Sequence, residues 1–148
     1  MQPLCVSRER FGILGCLILL AVSTAAAKDG RDFAGFYEVS DVVEFVEEFQ
    51  VTLTVRVFNY SGTEVNDATI MLEDSFLPGE PYGSFITPVY FQDRESVRLS
   101  DRFTIPRREY EGWQEGRTPR LTIDYMDADG NTVRRPIELV PMLLGEKE

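Results

Sequence analysis

The chain has 148 residues, with 15 lysines and arginines against 25 aspartates and glutamates, which gives a formal net charge of −10 at pH 7. It contains no histidine, and its only two cysteines are Cys5 and Cys16. Serine-histidine triads, Cys–His pairs and His/Cys zinc sites are therefore excluded. So acidic a chain also argues against binding to nucleic acid, because phosphate contacts require clustered lysines and arginines.

The first 27 residues have the three-part pattern of a secretory signal peptide. Arg8 and Arg10 precede an uncharged stretch at residues 11–22, and small residues follow at 25–27. The apolar stretch is shorter than the roughly 20 residues that a membrane-spanning helix needs. We therefore expect cleavage after Ala27 and export to the periplasm or the extracellular space, and the absence of cysteine from residues 28–148 favours a bacterial protein. The mature chain should have no stable membrane insertion.

A lipid anchor is the alternative interpretation of this segment, because residues 13–16 resemble a bacterial lipobox that ends at Cys16. The most apolar run comes after Cys16, however, where a mature lipoprotein should become polar. The pattern favours a cleaved signal peptide.

Short β-strands are predicted along most of the mature chain. The clearest is at residues 50–59, where Val51, Leu53, Val55 and Val57 alternate with polar residues. This period of two is typical of a strand with one face in the core. Further strands are predicted at residues 36–45, 68–73, 83–91, 96–105, 120–126 and 132–140.

Some of these strands carry more specific expectations. Residues 36–49 have both strand and helix spacing, and we favour a strand that turns through residues 46–48. Pro88 should place the strand at 83–91 at a sheet edge, since proline donates no ladder hydrogen bond. Asp101 interrupts the apolar face of its strand, so we expect a bulge or a change of register there.

Two connections also have clear signals. Pro106 and Gly116 are typical of the start and the end of a short helix, which would place Tyr110 and Trp113 on one face. Residues 127–131 predict a tight hairpin loop between the last two strands, in which Gly130 supplies a positive φ.

About seven short strands and no long helix predict an all-β, antiparallel sandwich. The strand at 50–59 and the turn after it resemble bacterial immunoglobulin-like domains of the fibronectin type III or cell-adhesion-related kind, and residues 120–131 resemble their closing strand pair. The resemblance implies an immunoglobulin-like fold with a role in binding or spacing, and it carries over no functional residue. The matching residues are Val51, Leu53, Val55, Val57, Asn59 and Gly62. The expected organisation is a signal peptide at 1–27, a flexible lead at 28–35, the sandwich at 36–142 and a loose tail at 143–148.

Aromatic and apolar side chains near predicted loops and strand ends are the best functional candidates. Such rings stack on sugars or anchor protein interfaces, although a single tryptophan in a small domain more often belongs to the core. The segment at 75–84 is either an apolar recognition loop or the cap of a sandwich edge. The candidate interaction residues are Phe76, Leu77, Tyr82, Tyr90, Tyr110 and Trp113.

The acidic side chains favour no catalytic or metal site. The turn at 127–131 resembles a calcium-binding loop, but Tyr125 and Pro136 occupy two of the essential ligand positions, so an ordinary hairpin turn is favoured. Carboxylate pairs such as Glu73 and Asp74 suit glycoside hydrolysis, yet a solvated acidic surface also explains them. We expect no catalytic residue, no metal and no cofactor.

The sequence thus favours an exported, non-catalytic binding or accessory module that recognises another envelope or extracellular protein through its loops or a sheet edge. The alternative is a carbohydrate-binding module that stacks sugars on exposed aromatic rings. A small hydrolase comes third and is disfavoured.

Overall fold

The computed structural model describes residues 31–86 and 88–143, which form an all-β structure with one short helix. The predicted signal peptide and residues 144–148 lie outside the described residues. The elements are β1 (Phe33–Glu44), β2 (Glu48–Asn59), β3 (Val65–Glu73), β4 (Pro81–Ser84), β5 (Val89–Phe91), β6 (Ser96–Pro106), α1 (Arg107–Gln114), β7 (Arg120–Met126) and β8 (Thr132–Pro141).

The eight strands form one mixed sheet in the order β4-β3-β7-β8-β1-β2-β6, and β5 also pairs with β3. Neighbouring strands are antiparallel except β1 and β8, which run parallel. β4 and β5 lie at the β3 end of the sheet and β6 lies at the opposite end. Because β4 and β5 nevertheless contact β6 in space, the sheet curls into a nearly barrel-shaped structure. The all-β class predicted from the sequence is confirmed.

The core lies on the inner face of the curled sheet. On β2, Val51, Leu53, Val55 and Val57 are completely buried, as their alternation in the sequence predicts. Burying each such side chain contributes about 1.5–3 kcal/mol. The inner faces of β3, β7 and β8 add Ala68, Ile70, Leu72, Leu121, Ile123, Ile137 and Leu139, and buried residues of β1, β5, β6 and α1 complete the core.

Strand β1 joins the two halves of the sheet, because it pairs with β2 on one side and β8 on the other. Gly35 lies at the crossing and pairs with both Val57 and Leu139. A Cβ atom at Gly35 would lie 2.2 Å from the backbone oxygen of Arg56. Only glycine allows the two backbones to approach this closely.

Several local predictions agree with the structure. The strand interpretation of residues 36–45 is confirmed, although β1 begins earlier, at the fully buried Phe33, inside the segment expected to be a flexible lead. The predicted helix is α1, and Gly116 follows it with φ +99°. The hairpin loop before β8 is also present, with Gly130 at φ +81°.

Two expectations about the middle of the chain are wrong. The segment at 83–91 is not one strand, because β4 and β5 pair separately with different parts of β3. β6 has no bulge at Asp101, since it pairs with β2 without a register shift. The Asp101 carboxylate accepts the N–H groups of Ile86 at 3.2 Å and Arg102 at 2.8 Å, and these bonds accommodate an acid within the apolar face.

Candidate functional site

Four of the six candidate side chains meet around α1, at one end of the sheet. Trp113 is only 6% exposed and packs within the core. Tyr110, also on α1, is half-buried and stacks on Phe49 with ring centroids 4.3 Å apart. Tyr82 on β4 and Phe76 in the loop between β3 and β4 both reach the helix. Trp113 therefore fills the end of the core rather than presenting its ring to solvent.

Glu109 on α1 organises this end of the molecule, although it is completely buried. Its Oε1 accepts the indole N–H of Trp113 at 2.9 Å. Its Oε2 accepts the N–H and hydroxyl of Ser75, at 3.2 and 3.0 Å, and the hydroxyl of Tyr82 at 3.3 Å. Burial, together with the negative charges of Asp74 and Glu109, raises the pKa of Tyr82. These bonds offset the desolvation of a buried carboxylate and join the helix to β4.

Asp74 fixes the chain as it leaves β3. Its Oδ1 accepts the backbone N–H groups of Phe76 at 2.7 Å and Leu77 at 3.1 Å, and its Oδ2 accepts a hydrogen bond from Arg108. Burial by itself raises the pKa of Asp74. The hydrogen bonds from the backbone, Tyr82 and Arg108 outweigh burial and hold the pKa below its ordinary value. The carboxylate is therefore an ionised structural group.

Glu73 has the same kind of role. It is 2% exposed and accepts hydrogen bonds from Thr122 at 3.0 Å, Arg120 at 3.2 Å and the N–H of Gly79 at 3.3 Å. Glu73 and Asp74, the pair considered for glycoside hydrolysis, are thus occupied by donors from the protein itself. Their contacts hold the loop against the body of the sheet.

The segment at 75–84 combines features of both sequence interpretations. It is folded back and pinned, and Phe76 lies against the helix with the Arg117 guanidinium 4.1 Å from its ring centroid and Arg108 at 5.5 Å. Phe76 is nevertheless 40% exposed and Leu77 54% exposed. The segment is a fixed cap that presents a small apolar surface.

Tyr90 lies apart from the other five candidates. It is on β5, which pairs with β3 at Val65 and Ala68, whereas β4 pairs with the far end of β3, from Met71 to Glu73. Its side chain is 62% exposed. The six candidates therefore do not form one surface, because Trp113 lies in the core and Tyr90 lies away from the α1 end.

An open groove of about 360 Å³ lies beside Tyr90, between the chain that leads into β5 and strand β6. We call it the β5–β6 groove. Ile86 is 85% exposed on one wall, and Val97 and Leu99 on the other wall pack partly against the core. The complete lining is Phe85, Ile86, Pro88, Tyr90, Val97, Arg98, Leu99, Ser100 and Asp101.

The groove borders a strand edge. β6 pairs with β2 along its whole length, and its other edge has no strand partner within residues 31–86 and 88–143. Such an edge presents backbone N–H and C=O groups to another extended chain. Arg98 and Arg102 stand on the outer face of β6 and form no salt bridge with any residue that the structure describes. The outer face of this edge therefore carries two positive charges, while Asp101 adds one negative charge on the groove side.

Two exposed apolar surfaces lie outside the six candidate residues. One is the hairpin tip between β1 and β2, residues 42–46, which contains four exposed apolar side chains. The other is an aromatic face formed by Phe36, Phe58 and Tyr60, in which the Phe58 and Tyr60 rings are 6.1 Å apart and inclined by 7°. The sequence does contain a signal for the second surface. Phe58 lies on the outward-facing side of β2, where the other alternating residues are polar.

The acidic turn at 127–131 is built as a hairpin connection. The Asp127 carboxylate accepts the N–H groups of Asp129 at 3.0 Å and Asn131 at 2.8 Å. Within the described part of the chain, no group of three or more acidic side chains could hold a metal ion. No helix there is long and apolar enough to cross a membrane.

Comparisons of the chain with protein-family models, with curated proteins and with solved structures found no significant match.

Proposed function

We propose that this protein is an exported, non-catalytic binding module that recognises an extended segment of another protein along the free edge of β6. One observation carries the proposal, namely the juxtaposition of that edge with the partly apolar β5–β6 groove. Strand addition uses such a pair of features, since backbone hydrogen bonds supply affinity and side-chain pockets supply specificity.

The strand connectivity supports an immunoglobulin-like arrangement. In constant-type immunoglobulin domains, strands A, B, E and D form one sheet and C, F and G form the other. Here β1, β2 and β6 are adjacent, as A, B and E are, and β3, β7 and β8 are adjacent, as C, F and G are.

This correspondence explains why the edge of β6 is free. Strand D would cover strand E in the constant-type domain. In this protein the chain between β3 and β6 pairs with β3 instead, as β4 and β5. The half-sheet that contains β6 is one strand short. β4 and β5 approach β6 without pairing with it, so a strand from a partner would complete the half-sheet by pairing with β6 beside them.

The side chains beside the edge indicate what the partner segment contains. Successive residues of a strand point to opposite faces. A segment along β6 would therefore place alternate residues in the groove, against Ile86, Tyr90 and Leu99, and the others beside Arg98 and Arg102. An alternation of apolar and acidic residues fits both faces.

Other features support the remaining parts of the proposal. Export is inferred from the signal-peptide pattern of residues 1–27. A non-catalytic role is favoured because the buried acids Glu73, Asp74 and Glu109 accept hydrogen bonds from structural donors. The exposed, partly apolar groove is better suited to contact than to chemistry.

A peptide-selection experiment tests this function. A library of random decapeptides is displayed and selected on the purified protein, with counter-selection on the variant Tyr90→Ala/Arg98→Glu. Both side chains are exposed, so the variant should fold normally. We expect selected peptides to alternate apolar and acidic residues and to bind the variant at least tenfold more weakly.

Recovery of no peptide that distinguishes the two proteins would overturn the proposal. Peptides whose binding depends on Leu77 instead of the groove would overturn it as well. The matched control is Leu77→Ser, which changes the exposed side chain of the pinned loop and should leave binding unchanged.

A carbohydrate-binding function is the second candidate, favoured by the aromatic face at Phe36, Phe58 and Tyr60. Tyr60 is 52% exposed, and the Arg56 guanidinium lies 5.3 Å from the Phe58 ring centroid. Aromatic rings combined with a hydrogen-bond donor suit a sugar. Retention on polysaccharide columns that is lost in Tyr60→Ala, in a protein that binds no groove peptide, would make this the better description.

A further inference from the structure

The hairpin tip is the most apolar exposed segment of the described chain that the proposed function leaves unexplained. Val42 is 41% exposed, Val43 47%, Phe45 48% and Val46 84%. Single exposed apolar residues are common, but a contiguous group indicates an interaction surface.

The tip is held in one shape. Arg107, at the start of α1, donates from Nη2 to the Glu44 carboxylate and to the Phe45 carbonyl oxygen, both at 2.8 Å, and from Nε to the Val46 carbonyl oxygen at 3.2 Å. The Arg107 backbone N–H donates to Glu47 at 3.0 Å. A tip that is already ordered loses little conformational entropy when it binds.

The tip carries a charge opposite to that of the β6 edge. Asp41, Glu47 and Glu48 are exposed around its apolar residues. The groove combines apolar walls with Arg98, Ser100 and Asp101, and Arg102 lies next to it. Both surfaces are partly apolar, and Arg98 and Arg102 are opposite in charge to the acids around the tip, which favours their association over other pairings.

The tip cannot reach the groove of its own chain. Glu48, beside the tip, pairs with Pro106, whereas the groove lies where Val55 pairs with Leu99. These positions are about seven residues apart along β2, or roughly 23 Å at 3.3 Å per residue. The rigid hairpin therefore leads away from the groove.

We infer that the hairpin tip of one copy occupies the β5–β6 groove of a second copy, so that the protein associates head to tail. The inference rests on the proposed function in one respect, because it uses the same groove and names this chain's own tip as an occupant. A contact between two different patches leaves one tip and one groove free, so association continues into rings or chains. The small patches predict weak, concentration-dependent association.

Sedimentation velocity tests the inference between about 10 µM and 1 mM, the range of weak association. The tip variant is Val43→Ser/Val46→Ser, and the groove variant is Tyr90→Ala/Arg98→Glu. Met126→Ser is the control, because Met126 is 62% exposed and lies on β7, outside both patches.

We expect the wild-type protein and the control to form larger species as concentration rises. Each of the two patch variants should stay monomeric, with an association constant reduced at least tenfold. An equimolar mixture of the two variants should form a dimer and nothing larger, because it contains only one intact tip–groove pair.

Three results would overturn the inference: a wild-type protein that is monomeric at 1 mM, a tip variant that associates as the wild type does, or a mixture that stays monomeric. Peptide binding separates this failure from that of the proposed function. If groove-dependent peptide binding persists while the protein is monomeric, only the self-association is wrong. If peptide binding is also absent, both are wrong.

Discussion

Removal of the Glu109 carboxylate should be among the most damaging single changes to the fold. In Glu109→Ala, the indole N–H of Trp113 loses its acceptor in a buried position and the backbone N–H of Ser75 loses its acceptor in a partly buried one. The hydroxyls of Ser75 and Tyr82 can rotate toward other acceptors, so they add little to the loss of stability.

Two stranded donors at about 1–3 kcal/mol each predict a loss of roughly 2–6 kcal/mol in the free energy of unfolding. This is a large part of the 5–15 kcal/mol typical of a domain. Urea denaturation measures it directly, because a loss of about 4 kcal/mol lowers the midpoint by about 2 M at an m-value of about 2 kcal/mol/M. Glu109→Gln keeps one acceptor oxygen and should lose roughly half as much.

The matched control is Glu111→Ala, on the exposed face of the same helix, which should change stability by less than about 0.5 kcal/mol. A double-mutant cycle of Glu109→Ala with Trp113→Phe should show coupling of about 1 kcal/mol, since Phe has no N–H to strand. A loss below about 1 kcal/mol in Glu109→Ala, or additive effects in the cycle, would refute this account of the buried network.

Further predictions concern the backbone at Gly35, the loss of folding stability at low pH and the aromatic face. Gly35→Ala forces a Cβ atom against a backbone oxygen and should lower the free energy of unfolding, measured by urea denaturation, by about 3 kcal/mol or more. The control is Gly83→Ala, whose Cβ meets only a side chain at 3.4 Å and which should lower it by less than about 1 kcal/mol. Equal losses in the two variants would contradict the close approach of the backbones at Gly35. Because the pKa of Asp74 is lowered in the folded state, its stabilisation is present above the unfolded value near 3.9 and is lost as pH falls through the folded value. Urea melts between about pH 2 and 5 should therefore show a shallower loss of stability in Asp74→Asn than in the wild type, and identical slopes would contradict this role. Tyr60→Ala should leave both the melting temperature and the affinity for groove peptides unchanged, and a loss of peptide binding would move the site to the aromatic face.

The local signals in the sequence predicted most of the elements. The alternation from Val51 to Val57 marks a half-buried strand, and Pro106 with Gly116 brackets the helix. These signals work because they depend only on the conformations of neighbouring residues. Gly130 predicted its turn for the same reason, since a positive φ is a property of one residue.

The parts that the sequence did not predict depend on distant partners. Nothing near Gly35 indicates that its strand pairs with both β2 and β8. The segment at 83–91 divides into β4 and β5 because two parts of β3 are available to pair, and Asp101 fits without a bulge because the N–H of Ile86 meets it.

The candidate site was predicted only in part for a similar reason. Tyr90 was chosen for its residue type, but its neighbours on β6 come from the folding of the sheet. Trp113 lies in the core because Glu109, four residues away, satisfies its N–H. The partners that keep Glu109 buried include Ser75 and Tyr82, more than 25 residues earlier in the chain.

Hydrogen exchange of the backbone amides of β6 reports directly whether a peptide adds a strand to this edge. The protein is measured alone and with a peptide selected as described above. Strand addition predicts that exchange slows at least tenfold in the amides at the free edge of residues 97–101, while the pinned loop at 74–80 is unchanged. Protection confined to that loop or to the aromatic face at Tyr60, with β6 exchanging as before, would contradict the claim.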